Sequence, residues 1–280
     1  MSMAIEDAAG RLTIVVWNRT LWWAVDELVE KLPPEQLNKL KVRSGEHLAA
    51  ILTTTFLGTV PTEVDTIGGV DLWFDLADAR RARAGRILPA RTTQAAFEVR
   101  SLSGAFRKFD ADINRDAARG LDPVGRSIEG QVWSANDVLL AARGRLDDAR
   151  RQLVRKPHSD GTSMNVFLVV HPLDYITAEC LSDYVIGPHL DPLEDVPDVD
   201  TVWVLWPPHH LAMWSRERHA WVNLMFEAMN PEEATTWRHR PNPIPVLLEA
   251  EQYFLSRSGS ADQSPYFFTA SYEEMGPEPS

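Results

Sequence analysis

Two apolar runs of strand length, Asn165–Val170 and Thr201–Trp206, constrain the fold more than any other feature of this sequence. A strand that is apolar at nearly every position is buried on both faces, and helices must then cover the sheet above and below. The sequence supplies such helices. The clearest opens at Ser134, where Asp137 three residues on gives a capping-box pattern. It runs to about Lys156, with Arg150, Arg151, Arg155 and Lys156 near its end, and stops at Pro157. Those basic side chains suit the negative end of the helix dipole and predict a solvated, favourably capped face. The expected fold is α/β, a central mixed sheet flanked by helices.

The remaining elements follow from period and punctuation. Arg11–Trp17 reads as a strand and Leu21–Lys31 as a helix stopped by Pro33-Pro34. Ser44–Leu57 reads as a helix with Ser44 as N-cap, Glu46 and His47 in the first turn, and Gly58 as the stop. After Gly68-Gly69, Val70–Leu76 alternates apolar Val70, Leu72 and Phe74 with Asp71, Trp73 and Asp75, so the two aspartates share one face of a strand. In Ala96–Leu102, Phe97 and Val99 point one way and Glu98 and Arg100 the other. Helices are expected over Arg216–Met229 and Val246–Leu255, and a long loop over Gly187–Asp200. The chain reads as one α/β domain over 1–255 with no internal repeat or linker, followed by a polar, mobile tail over 256–280.

Composition narrows the classes. One cysteine, Cys180, permits no intramolecular disulfide. There is no apolar run of membrane-spanning length and no signal-peptide pattern, so the expectation is a soluble cytoplasmic protein with no membrane partner. The net charge of −12 argues against a general nucleic-acid binder. The charge is uneven, however. Residues 76–156 hold 17 Lys and Arg against 10 Asp and Glu, leaving 11 basic and 30 acidic groups elsewhere. The basic section is the part that would meet phosphates, with Arg107 and Lys108 as its candidate nucleic-acid contacts. No nucleotide-binding glycine loop and no Gly-x-Ser-x-Gly elbow occur, and His209, His210, His219 and His239 lack zinc-ligand spacing.

The pieces that carry chemistry come in a definite order: a helix with Glu46, a strand with Asp71, then a strand with Glu98-Val99-Arg100. Two carboxylates on adjacent strands, both on the polar face, can share a hard divalent cation such as Mg²⁺. Such a cation activates water and offsets charge at a phosphodiester. Plainer roles are open to each residue. Glu46 suits a helix N-terminus, Asp71 a turn-adjacent surface, Asp75 a structural acceptor, Glu98 and Arg100 an exposed cross-strand ladder, and Arg107-Lys108 a solvated loop.

Ser44-Gly45-Glu46-His47-Leu48, Gly69-Val70-Asp71-Leu72 and Phe97-Glu98-Val99-Arg100-Ser101 together resemble the PD-(D/E)XK nuclease superfamily. The resemblance spans about residues 44–170, and 171–255 would extend or pack on that restriction-endonuclease-like core. It implies a Mg²⁺- or Mn²⁺-dependent nuclease acting on nucleic acid, most simply DNA, in defence or repair. Glu46, Asp71, Glu98 and Arg100 would be catalytic, with Asp71 and Glu98 on the metal. Arg100 departs from the pattern by standing where the family has lysine. A guanidinium clamps phosphate but is a poor base. Three readings stay open: Arg100 works as an electrostatic clamp, a neighbour such as Lys108 replaces the lysine in space, or the site is silent. A silent domain would act as a binding subunit of a larger assembly. The acidic remainder points to a partner protein or homodimer that supplies affinity.

Overall fold

The computed structural model describes residues 2–8, 10–65, 69–77, 87–104, 112, 115, 116, 118–120, 132–156, 158–171, 174–177, 190–194, 196–206, 210–227 and 244–259. The strands are β1 (Ser2–Glu6), β2 (Leu12–Trp17), β3 (Glu63–Val64), β4 (Leu72–Asp75), β5 (Gln94–Leu102), β6 (Val132–Trp133), β7 (Thr162–Val170), β8 (Ile176–Thr177), β9 (Thr201–Trp206), β10 (His210–Ser215) and β11 (Ala220–Glu227). The helices are α1 (Asn18–Lys31), α2 (Pro34–Leu37), α3 (Glu46–Leu57), α4 (Ala135–Arg155) and α5 (Ile244–Ser258). Nine strands form one mixed sheet in the order β1-β2-β11-β10-β9-β7-β5-β4-β3, and β6 and β8 pair separately. Within the large sheet β5, β7 and β9 run parallel, β11 and β2 run parallel to each other, and the remaining pairings are antiparallel, while β6 and β8 pair in parallel. The protein is thus α/β with a large mixed sheet flanked by helices.

Two cores sit on the two sheet faces. On one face, Phe97, Val99, Phe167, Val169, Trp203 and Leu205 pack with apolar residues of α1, α3 and α5. On the other, Ala96, Val166, Leu168, Val202 and Val204 pack with α4. Helix α4 is amphipathic, burying Ala135, Val138, Leu139, Ala142, Leu146, Ala149 and Leu153 at helical spacing. Its N-cap is the expected one, with the Asp137 amide donating to Ser134 Oγ at 3.1 Å. Helix α3 is buried at every position, its polar Glu46, His47 and Thr53–Thr55 included, with the Thr53 and Thr55 hydroxyls donating back to the carbonyls of Ala49 and Ile51.

Beneath α3 and its neighbours, a polar network crosses the three parallel strands. Asn165 Oδ1 accepts from Thr201 Oγ1 at 2.6 Å and from Ser163 Oγ at 3.0 Å. Its amide nitrogen donates to the carbonyls of Ala96 at 3.2 Å and Ser163 at 3.0 Å. Trp203 Nε1 donates on to Thr201 Oγ1 at 2.9 Å. Every member is buried and every Asn165 amide group is satisfied, which removes the penalty for a polar group in a core.

Several expectations need correction. The described part of the Arg216–Met229 stretch, residues 216–227, is not a helix. Residues 216–219 form a tight turn, with His219 at φ 47°, and Ala220–Glu227 is a strand antiparallel to β10 and parallel to β2. Its apolar residues satisfy both periods over this short span, and the sheet offered the better burial. The cap of α3 is Gly45, in the left-handed region at φ 71°, while Ser44 closes a 3₁₀ turn, Val42–Ser44. The first helix begins at Asn18 rather than Leu21, and α5 runs to Ser258, so 256–258 belong to a helix and not to the tail. Residues 260–280, and with them most of the expected tail, lie outside the described residues.

Candidate carboxylate–cation site

Strand β4 is antiparallel to β5, with Leu72 opposite Phe97. Both point into the α1/α3/α5 core, so Asp71 and Glu98, one position away on each chain, lie toward the α4 side. Asp71 Oδ2 accepts from the Val99 amide at 2.7 Å. Arg100, two residues after Glu98, shares its face. Its guanidinium donates to Glu98 Oε1 at 2.7 Å and reaches Asp71 Oδ2 at 3.5 Å. Glu98 Oε2 takes a second cation, Lys156 Nζ, at 3.0 Å. Glu98 is only 2% exposed, against 18% for Asp71 and Arg100 and 14% for Lys156. The cluster is partly buried, and its most buried carboxylate is held by two cations.

Glu46 enters from the other layer. It opens α3, where Gly45 sits so close to β7 that a Cβ there would lie 2.7 Å from Val169 Cγ2. The adjoining turn is tied to β5 by Ser101 Oγ donating to the Ser44 carbonyl at 2.7 Å. Glu46 Oε2 accepts from the Lys41 amide at 3.1 Å, and the Glu46 amide returns a bond to the Lys41 carbonyl at 3.2 Å. Burial raises the Glu46 carboxyl to about 7, with the Asp71 charge adding to the rise and the Lys41 amide opposing it. Burial likewise raises Asp71 to about 6, helped by the Glu98 charge and opposed by the Val99 amide, Arg100 and Lys156. The three carboxylates therefore feel one another in the chain Glu46–Asp71–Glu98.

Asp75 faces solvent and accepts from the Ala77 amide at 3.0 Å, a structural role. Arg107 and Lys108 lie outside the described residues. Lys156 was missed. From sequence it reads as a capping cation on a solvated face, yet its ammonium is largely buried against Glu98 Oε2. The other basic groups of that helix end fit the plainer role better: Arg150 pairs with Asp198 at 3.2 Å, Arg151 pairs with Asp148, and Arg155 is exposed. Helical position alone could have flagged Lys156, which stands three residues after buried Leu153, but no sequence signal says that Glu98 lies beneath it.

In donor type the cluster suits a hard divalent cation: Asp71 and Glu98 offer carboxylate oxygens, and Asp71 Oδ1 accepts no hydrogen bond among the described residues. A cation would compete with Arg100 for both carboxylates. Among the described residues, no group of three or more His, Cys, Asp or Glu side chains is gathered closely enough to hold a metal. A cavity of about 740 Å³ lies at the other end of β5, lined by Asp75, Leu88, Arg91, Gln94 and Ser159, away from this cluster. No helix among the described residues is long and apolar enough to cross a membrane. No family model, curated protein or solved structure matches the chain.

Proposed function

We propose that the protein is a metal-dependent nuclease with a restriction-endonuclease-like core, hydrolysing a phosphodiester of nucleic acid, most simply DNA. The observation that carries this reading is the joint hold on Glu98: a nearly buried carboxylate, beside Asp71, with Arg100 on one oxygen and Lys156 on the other. Asp71 and Glu98 would hold Mg²⁺ or Mn²⁺, which when bound polarises the phosphate and makes water a better nucleophile. Arg100 would clamp a phosphate oxygen as a fixed charge, and Lys156 would supply the compact ammonium that Arg100 cannot. That division of labour takes the reading in which a neighbour replaces the family's lysine in space, with Lys156 as the neighbour instead of Lys108. Glu46, raised to about 7, can take up or release a proton near neutrality.

Supercoiled plasmid and single-stranded DNA incubated with the protein in Mg²⁺, Mn²⁺ or EDTA test the proposal. Cleavage is expected with metal only, and is expected to vanish in Asp71→Ala/Glu98→Ala. A second reading has its own observation: Arg100 touches both carboxylates, which closes the cluster as a salt bridge and suits a catalytically silent module that binds DNA or a partner protein. Absence of cleavage at any metal concentration, together with unchanged thermal stability in Mn²⁺, selects the silent module.

A further inference from the structure

We propose that the C-terminal helix α5 sets the position of Glu46 through a buried joint between Glu251 and His47. The two residues stand 204 positions apart, yet His47 Nε2 and Glu251 Oε1 are 2.7 Å apart, with the side chains 0% and 5% exposed. His47 follows Glu46 in the first turn of α3, so whatever fixes His47 also fixes Glu46 beside it. The imidazole ring stacks on Phe254 one helical turn along α5, with centroids 6.3 Å apart and planes 28° apart, which orients the ring as well as its nitrogen. Helix α5 is itself anchored to α1 by Trp22 and Tyr253, whose rings meet edge to face at 5.6 Å.

The joint is poorly explained by stability alone. A buried polar pair gains little over apolar residues of similar size. Here it also leaves His47 Nδ1 buried with no hydrogen-bond partner among the described residues. What the pair does provide is a fixed direction. The α3 turn is gripped from the sheet side by Gly45 against Val169 and by Ser101 on the Ser44 carbonyl, and from within the helical layer by Glu251 of α5. Between these grips Glu46 is held with its Oε2 on the Lys41 amide. His47 and Glu251 are positioning residues, and α5 is part of the unit that shapes the site.

The role of Glu46 in cleavage rests on the nuclease reading, but its position does not, and the Lys41 amide reports that position directly. The experiment is hydrogen exchange on the full chain of wild type and of His47→Leu/Glu251→Leu, which replaces the pair by apolar side chains. Exchange at Lys41 is expected to speed up by about tenfold or more, while Ala142 and Leu146 of α4 keep their protection. Glu46→Ala serves as the reference for a lost bond. Glu251→Ala, which trims only the α5 side, gives the same reading should the double variant fail to fold. Unchanged Lys41 exchange in a folded variant overturns the proposal, as does an equal loss of protection at Lys41 and throughout α4. If Lys41 loses protection while neither wild type nor variant cleaves DNA, the positioning role stands and the nuclease reading falls.

Discussion

Glu46→Gln is expected to stabilise the protein at alkaline pH and to leave it unchanged in acid. Its carboxyl is raised from 4.5 to about 7 in the folded state, chiefly by burial. A carboxyl raised on folding favours the native state while protonated. That contribution is complete below the unfolded pKa and disappears as pH climbs through the folded one. The span from 4.5 to about 7 corresponds to about 3 kcal/mol lost between acid and pH 8. Glutamine keeps an oxygen for the Lys41 amide and never ionises. The variant should therefore match wild type near pH 4 and exceed it by up to about 3 kcal/mol at pH 8, or very roughly 5–10 °C in melting temperature for a chain of this size. Part of the rise comes from the Asp71 charge, so the gain should shrink in an Asp71→Asn background. Urea unfolding at pH 4, 5, 6, 7 and 8 gives the curve. A variant whose advantage is flat with pH, or largest in acid, would refute the claim that Glu46 is a buried carboxyl strained by ionisation.

Three further outcomes follow from the carboxylate–cation cluster and a fourth from the basic section. Mn²⁺ should raise the melting temperature of wild type by mass action, by the equivalent of about 2.7 kcal/mol at a hundredfold excess over the dissociation constant, and Asp71→Ala/Glu98→Ala should lose the gain. Calorimetry in two buffers near pH 6 should show protons released on Mn²⁺ binding, because Asp71 is raised to about 6 and a bound cation needs it ionised. Arg100→Lys should keep or raise cleavage and Arg100→Ala should lower it about 10²-fold, whereas Lys156→Ala should also cost about 3 kcal/mol of stability in urea unfolding by uncovering buried Glu98. Replacing Arg107 and Lys108 by alanine should flatten the salt dependence of DNA binding by about 0.9 per lost phosphate contact, and an unchanged slope would mark both as solvated bystanders.

Period-2 alternation made β4 and β5 legible, together with the faces on which Asp71, Glu98 and Arg100 lie, because a half-buried strand writes its two faces directly into sequence. The α4 cap was legible for a similar reason: Ser134 and Asp137 are local to each other. Strand β11 was not, since eight residues of mixed apolar character fit a helix or a strand, and its partners β10 and β2 are chosen by tertiary packing. Lys156 and Glu251 escaped for a different reason. Each meets its partner across 58 or 204 residues of chain, and a salt bridge or a buried hydrogen bond of that span has no periodic signature.

The Asn165 network bears on how the sheet is assembled. Strands β7 and β9 are apolar and much alike, so burial alone would accept them against β5 or each other in more than one alignment. A slip of one residue would turn the Asn165 amide into the apolar layer beneath α4, away from its two partners on neighbouring strands, Thr201 Oγ1 and the Ala96 carbonyl. Near one end of the three strands, Asn165, Ser163, Thr201 and the Trp203 indole act as an address label. They say which strand goes where and at what offset, and so set Glu98, two residues past Ala96 on β5, opposite Val166 of β7.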